Sequence, residues 1–285
     1  MKKVIIVPNA TKDSGLRVTA NAVKKLVDMG MSPCIDKMYS TYGLESVNYY
    51  EILPGDASLI LVIGGDGSII DASRIAVEHD IPMLGINLGK VGYLSEVDPE
   101  NLAVLQKLLN NEYKIEGRML LTAEKIALDN SESVSERLAM NDVVITNRGG
   151  FGISEMLVEN GRGDSLKYRA DGVIFATPVG STAYSLSAGG PVISHNLSAI
   201  TVTPVSAHSL FNRSIVYDQD EILTAKNVSE SELSIHIDGR YFESLKPGEI
   251  CRIRCSKKQL KMISFEEKNM FTALFEKIRV IDDKV

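Results

Sequence analysis

The chain has 285 residues, 44% of them hydrophobic and 24% charged, with a formal net charge of −6 and a pI of 5.4. That length suits one large or two ordinary domains, and the acidic balance argues against a broad nucleic-acid or anionic-membrane surface while leaving room for a local basic pocket around a small anion. No apolar run approaches membrane-spanning length, and the four apolar residues between Lys3 and Pro8 are too few for a secretory leader, so a cytoplasmic location is expected. The odd count of three cysteines suits a reducing compartment.

In chain order, Val4-Ile5-Ile6-Val7 reads as a buried strand stopped by Pro8 and Asn9, and Leu16, Ala20, Val23 and Val27 then recur at helical spacing until Gly30. A second strand is expected over 34–38. The central punctuation follows at Leu59-Ile60-Leu61-Val62-Ile63, where the apolar run breaks into Gly64-Gly65-Asp66-Gly67 and a helix-period pattern covers 68–79. This is the pattern of strand, tight loop and helix. Gly64, Gly65 and Gly67 carry no Cβ, so backbone N–H groups can approach a ligand closely and positive φ is open to them. A helix starting near Ser68 aims its positive end at the same place, which suits a polyphosphate. Asp66 is the odd residue, because a carboxylate among phosphate-cradling amides repels phosphate unless it holds a metal or takes a proton from the attacking group. Taken alone, the motif is equally well read as a tight connection with a capping carboxylate.

Another strand over 81–87 ends in Leu88-Gly89-Lys90-Val91-Gly92. Strands alternating with helices over the first hundred residues predict a doubly wound parallel sheet, whose ligands bind beyond the carboxyl ends of the strands. The loops at 64–67 and 87–92 are thus expected to line one crevice. A helix is expected over 101–109. After Gly117 the texture turns β-rich, with short segments at 120–128, 141–146, 154–158, 166–168, 173–176, 200–203, 214–217, 221–225, 233–237, 250–255 and 260–265. The predicted fold is an α/β domain with a doubly wound parallel sheet over 1–118, an all-β sandwich-like domain over 119–265, and a C-terminal segment over 266–285, helical at 269–278, that packs back on the first domain.

One segment departs from the β texture. From Asp171-Gly172 a strand runs into Thr177-Pro178-Val179-Gly180-Ser181-Thr182-Ala183-Tyr184-Ser185, a short helix capped by Ser181 and ended by Gly189-Gly190-Pro191. The hydroxyls of Thr177, Ser181, Thr182, Tyr184, Ser185 and Ser187 suit a ribose or a pyrophosphate, with local capping as the structural alternative. Neither the cysteines nor the four histidines show metal-ligand spacing, and no metal-ligating residue is singled out. Cys251 and Cys255 read as core residues on one face of a strand, and Asp238-Gly239 as a hairpin turn, with a minor ligand role left open by its place near the end of the second domain.

In this order and spacing, Gly64-Gly65-Asp66-Gly67, Asn141-Asp142, Asp171-Gly172 and the run from Ala176 to Ser185 resemble the NAD kinase family over nearly the whole chain. The first motif is shared with diacylglycerol-kinase-like and phosphofructokinase-like enzymes; the Thr-Pro-x-Gly-Ser-Thr-Ala-Tyr segment is far more specific. The resemblance implies transfer of a phosphoryl group from ATP, or from inorganic polyphosphate, to the 2′-hydroxyl of the adenosine ribose of NAD. It also implies Mg²⁺ or another divalent metal, and a homo-oligomer, dimer or tetramer, without nucleic-acid or membrane partners. Carried onto the matching positions, it makes Asp66 the carboxylate that receives or orients the hydroxyl proton, and Gly64, Gly65 and Gly67 the shapers of the phosphate loop. Asn141 and Asp142 would hold the adenosine end of NAD, and Thr177, Ser181, Thr182, Ala183, Tyr184 and Ser185 would form the NAD-binding segment. Asp171 would lie near the nicotinamide half, and Arg169 near that half or a neighbouring subunit; His208 falls in a segment that matches less closely.

Two positions depart from the family pattern. Asp142 stands where the family has Glu, one methylene longer, and Leu88 where many relatives have Arg, a phosphate contact for which Lys90 is the available replacement. A lipid or sphingoid-base kinase and a non-catalytic NAD-binding sensor are the alternatives. The first calls for an apolar or amphipathic entrance that the sequence lacks, and the second has no use for a carboxylate beside phosphate. A dehydrogenase is disfavoured because no Gly-x-Gly-x-x-Gly follows the first strand.

Overall fold

The structure, a computed structural model, describes residues 2–89, 94–128, 133–147, 153–209, 212–265 and 275. The chain divides into two compact units, Met1–Gly117 with Leu260–Val285, and Arg118–Gln259.

In the first unit the elements are β1 (Lys3–Pro8), α1 (Arg17–Asp28), β2 (Ser32–Asp36), β3 (Asn48–Tyr50), β4 (Ala57–Gly64), α2 (Asp66–Glu78), β5 (Met83–Asn87), α3 (Lys107–Asn110) and β6 (Lys114–Arg118). β1 pairs in parallel with β2 and β4, β2 with β3, and β4 with β5, giving the order β3-β2-β1-β4-β5. Alternation along the strands sorts their side chains between two faces. Val4, Ile6, Leu61, Ile63, Leu84 and Ile86 cluster with Ala22, Val23 and Leu26 of α1 and with Leu105 and Leu108. The intervening Ile5, Ile60 and Val62 are equally buried and point the other way, while α2 packs on β4 and β5 through a stripe of Ile69, Ala72, Ala76 and Val77. Helices cover both faces, and the expected doubly wound sheet is present.

The second unit holds β7 (Leu121–Ile126), β8 (Ser133–Ala139), β9 (Asp142–Asn147), β10 (Ser154–Glu159), β11 (Ser165–Ala170), β12 (Gly172–Ala176), α4 (Tyr184–Ser187), β13 (Ala199–Val205), β14 (Ile215–Asp218), β15 (Leu223–Asn227), β16 (Leu233–Ile237), β17 (Arg240–Leu245) and β18 (Ile250–Cys255). These strands form two six-stranded antiparallel sheets, β11-β10-β15-β18-β7-β8 and β14-β13-β12-β9-β16-β17. Inward-facing residues of both sheets share one core, with Leu121, Met156, Tyr168 and Ile253 of the first against Ile145, Phe175, Val202 and Ile235 of the second. That is the expected sandwich. Cys251 is buried in this core and Cys255 packs against it, both as free thiols.

The chain then returns to the first unit. β19 (Leu260–Ser264) pairs in parallel with β5 at Met262 and Met83 and stands between β5 and β6. The 260–265 segment therefore belongs to the first sheet rather than to the end of the β domain. Its apolar pattern fits either place; the pairing is set by a strand in the first hundred residues, with the whole second unit in between. The expected helix over 101–109 is a 3₁₀ turn over Leu102–Gln106 followed by α3. The short, largely exposed β3 and β6 carry too few apolar residues to register as strands in the sequence. Apart from Phe275, the segment 266–285 lies outside the described residues, as do Lys90 to Tyr93.

Candidate active site

The glycine motif of the first unit lies where β1 and β4 adjoin, with α1 on one face of the sheet and α2 on the other. This is the topological switch point at which such sheets bind ligands. The motif is not wholly a loop. Gly65 is the N-cap of α2, with extended backbone (φ −104°), and Asp66 and Gly67 already form the first helical turn. Neither Gly64, Gly65 nor Gly67 takes positive φ. Their smallness serves close approach instead. A Cβ on Gly64 would stand 2.6 Å from Ser68 Cβ, and one on Gly65 would stand 2.7 Å from Lys12 Nζ. A Cβ on Gly67 would meet open space.

Three strand ends meet at this turn. From the end of β1, the Asn9 N–H donates to Ile63 O (2.8 Å) and Asn9 Nδ2 donates to Ser68 Oγ (2.8 Å). From the end of β5, the Leu88 N–H donates to Gly64 O (2.8 Å). Asp66 is partly buried, and its Oδ1 accepts from the Leu94 N–H at 3.1 Å. Lys12 is held on the β1 loop by its own N–H donating to Asn9 O (3.0 Å). Next to it, the buried Asp13 carboxylate caps α1, accepting from the Val18 N–H (3.0 Å) and the Thr19 N–H (2.9 Å). Lys12 is exposed and forms no ion pair among the described residues. Its ammonium over Gly65 was not foreseen from the sequence, since only the fold brings residue 12 to residue 65. Leu88 packs against the apolar core and supplies no phosphate contact; Lys90 lies outside the described residues.

In the second unit a cavity of about 440 Å³ opens on the outer face of the β9–β16 sheet, lined by Asn141, Asp142, Val144, Thr146, Ala183, Tyr184, His236, Asp238 and Gly239. Strand periodicity puts them there: Val143 and Ile145 enter the sandwich core, so Asp142, Val144 and Thr146 face outward. Asp142 is only 4% exposed, and burial together with the neighbouring Asp238 pushes its carboxyl up to about 7. Burial pushes the His236 imidazole down; its Nε2 is 3.1 Å from Ser234 Oγ, and Tyr241 lies edge-on to the ring. Val144, Thr146 and His236 are not among the expected site residues, although the alternation along β9 and β16 carried the signal; Asp238 and Gly239, read as a hairpin turn with a minor ligand role open, line the cavity as well.

The cavity gathers four of the expected residues, Asn141, Asp142, Ala183 and Tyr184. Of the other hydroxyls of that segment, Ser187 is exposed and four turn inward. Thr177 Oγ1 donates to Met140 O (2.7 Å) and accepts from the Gly180 N–H (2.9 Å). Ser181 Oγ donates to Pro178 O (2.6 Å) and accepts from the Ile193 N–H (2.9 Å). Thr182 Oγ1 donates to Val179 O, and Ser185 Oγ is 3.1 Å from Thr203 Oγ1. All four side chains are buried. Gly180 is obligatory in this turn, because a Cβ there would overlap the Asn141 carbonyl. Arg169 and Asp171 do not line the cavity; they lie at the β11–β12 turn, where Asp171 O accepts from Oγ1 of the cavity-lining Thr146 (2.8 Å). Arg169 pairs with Glu155 (3.0 Å), and Asp171 Oδ1 is 3.9 Å from His208 Nε2.

Among the described residues no three His, Cys, Asp or Glu side chains converge as metal ligands. A hard divalent cation carried by nucleotide phosphates needs only one or two protein carboxylates, a demand that Asp66 fits.

Known proteins match both units. Residues 4–113 match the ATP-NAD kinase N-terminal domain and residues 140–265 the ATP-NAD kinase C-terminal domain. An NAD kinase of Thermoanaerobacter sp. (strain X514) is 36% identical over 289 residues, covering 98% of this chain and 99% of the relative. Yeast NADH kinase, solved with NADH, superimposes with a TM-score of 0.85 at 23% identity, over 97% of this chain and 87% of its own. An NAD kinase from Archaeoglobus fulgidus, solved with ATP, gives a TM-score of 0.72 at 22% identity, over 97% of this chain and 98% of its own. These two solved structures share the fold.

Proposed function

The chain belongs to the NAD kinase family, and from that premise we propose that it transfers a phosphoryl group from ATP, or from inorganic polyphosphate, to the 2′-hydroxyl of the adenosine ribose of NAD. The observation that carries this reading is Asp66: a carboxylate in the first turn of α2, at the switch point of a doubly wound sheet, with the ammonium of Lys12 over the adjacent Gly65. The Leu94 N–H occupies only Oδ1 of that carboxylate, and Oδ2 has no hydrogen-bond partner among the described residues. A ribose hydroxyl is a poor nucleophile, and a base within reach of its proton contributes roughly 10²–10⁴-fold.

Asp66 receives the hydroxyl proton. The amides of the 64–67 turn, the positive end of α2 and Lys12 stabilise charge on the phosphoryl oxygens, which is most of what a loose transition state requires. A divalent cation such as Mg²⁺ supplies further neutralisation of the phosphates when bound, with Asp66 as its protein carboxylate. Asn141, Asp142, Ala183 and Tyr184 hold the adenosine half of NAD in the second-unit cavity. Thr177, Ser181, Thr182 and Ser185 support that cavity through backbone hydrogen bonds rather than by touching the ligand. Arg169 and Asp171, with His208, serve the nicotinamide half or a neighbouring subunit of a dimer or tetramer.

We infer a cytoplasmic enzyme: the three cysteines are free thiols, and no helix among the described residues is long and apolar enough to cross a membrane. The lipid-kinase and binding-only readings find no support in the matched domains. The test is a coupled assay with NAD, ATP and Mg²⁺, its product read by an NADP-specific dehydrogenase, with polyphosphate and with chelator in parallel. NADP that forms with ATP and vanishes with chelator is the expected result; no NADP from either donor overturns the reading.

A further inference from the structure

The Asp238-Gly239 turn that joins β16 to β17 is a two-residue hairpin in which both residues take left-handed φ, 49° and 76°. From this turn the Asp238 carboxylate reaches three successive backbone N–H groups nearly a hundred residues earlier. Met140 N–H donates to Oδ2 (2.9 Å), and Asn141 N–H (2.7 Å) and Asp142 N–H (3.2 Å) both donate to Oδ1. The Asp238 N–H in turn donates to Asp142 O at 3.0 Å. Hydrogen bonds from amides to a carboxylate are charge-assisted and about twice as strong as neutral ones. The backbone that presents Asn141 and Asp142 to the cavity is thereby fixed from the far side of the sheet's sequence.

The same carboxylate has an electrostatic consequence. It lies beside the buried carboxyl of Asp142 and resists a second negative charge there. The groups beside the pair are Arg240, whose charge favours the ionised form of Asp238, and His236 in the same cavity wall, whose imidazole burial pushes down. Burial raises Asp238 itself, against the pull of its three amide partners.

We propose that Asp238 is a positioning residue for ligand recognition: through the N–H groups of Met140, Asn141 and Asp142 it sets how the Asn141–Asp142 pair meets the ribose, and through its charge it opposes ionisation of Asp142. This rests on the reading that the cavity takes the adenosine half of NAD. A carboxylate accepts from ribose hydroxyls, so NAD affinity rises with pH as Asp142 ionises, across the neutral range where its carboxyl is held. In Asp238→Asn the amide oxygen can still accept from Asn141 and Asp142, but the amide nitrogen meets the Met140 N–H donor to donor.

The experiment is calorimetric NAD binding to the wild type and to Asp238→Asn from about pH 5.5 to pH 8.5, with melting curves as a fold control. The expected result is roughly tenfold weaker binding at pH 8 and an inflection shifted to lower pH by about one unit. Unchanged affinity together with an unchanged inflection overturns the proposal. Should Asp238→Asn fail to fold, carboxyl carbon NMR of the wild type and Asp142→Asn answers the same question. With Asp142→Asn identifying the Asp142 signal, Asp142 must titrate above Asp238 in the wild type, and the Met140, Asn141 and Asp142 amides must be protected from exchange. An Asp142 that titrates with or below Asp238, or freely exchanging amides, contradicts it. These NMR readouts need neither NAD nor turnover, so a wild type that binds no NAD defeats the functional reading while the carboxyl pair is still tested.

Discussion

Two turns of this molecule share a design in sequence, small and polar residues between a buried strand and a helix, and differ in what the fold does with them. At the β4–α2 turn the polar groups stay available: Gly67 borders open space, Asp66 is partly exposed, and Lys12 carries a charge with no ion-pair partner among the described residues. At the β12–α4 turn they are consumed. Thr177, Ser181 and Ser185 are fully buried, and their hydroxyls bond to backbone or to one another. A buried hydroxyl must find a partner, and those of the second turn find it within the protein. Residue composition therefore marks both turns as special, while burial decides which touches the ligand and which builds the wall behind it.

The largest effect that would sharpen this contrast is at Asp66. Asp66→Asn keeps the shape of the α2 first turn and removes the base, so steady-state turnover should fall by roughly 10²–10⁴-fold while NAD affinity stays within about twofold. Next are the glycines, which should behave oppositely at the two turns. Gly180→Ala drives a methyl into the Asn141 carbonyl and should lower stability by about 3 kcal/mol or more in denaturant titration. Gly67→Ala meets open space within a helix and should be neutral or stabilising by up to about 1 kcal/mol. Equal losses at both would erase the distinction.

Asp142 offers a test by pH. Its carboxyl is raised in the folded state from 3.8 to about 7. The folded protein therefore binds that proton more tightly than the unfolded chain, and stability drains away as pH rises between those two values. Asp142→Asn removes this loss, so its unfolding free energy in denaturant titration should exceed the wild type's at pH 8 by on the order of 2–4 kcal/mol, and the gap should close toward pH 4. The smallest expected effect is at Lys12. Lys12→Met keeps the stem and removes the charge, and should raise the KM for ATP or lower kcat by about tenfold, with no change in NAD binding.

Much of this was legible in the chain itself. The apolar run ending at Gly64 and the helical stripe from Ile69 specify a strand and a helix by local pattern, and alternation along 141–146 and 233–237 specifies half-buried strands. Other features were not, because they depend on which distant segments meet. β19 has a strand's composition, but nothing near it in sequence says that its partner is β5. Lys12 looks like an ordinary surface lysine until the sheet sets its ammonium over Gly65. Asp238 reads correctly as a turn residue, yet its three amide partners lie at Met140, Asn141 and Asp142. The hydroxyls of Thr177 and Ser181 look like ligand contacts because the sequence records their chemistry and not the backbone groups packed against them.

The division of labour between the two turns is tested most directly by measuring turnover and melting temperature together for Asp66→Asn and Ser181→Ala. Asp66→Asn should lose nearly all NADP formation with its melting temperature unmoved. Ser181→Ala, which strips the Ile193 N–H and the Pro178 carbonyl of a buried partner, should melt several degrees lower, as a loss of about 1–2 kcal/mol requires, while retaining most of its turnover at temperatures where it is folded. The reverse pattern, a stable Ser181→Ala without turnover or an active Asp66→Asn, would contradict the account.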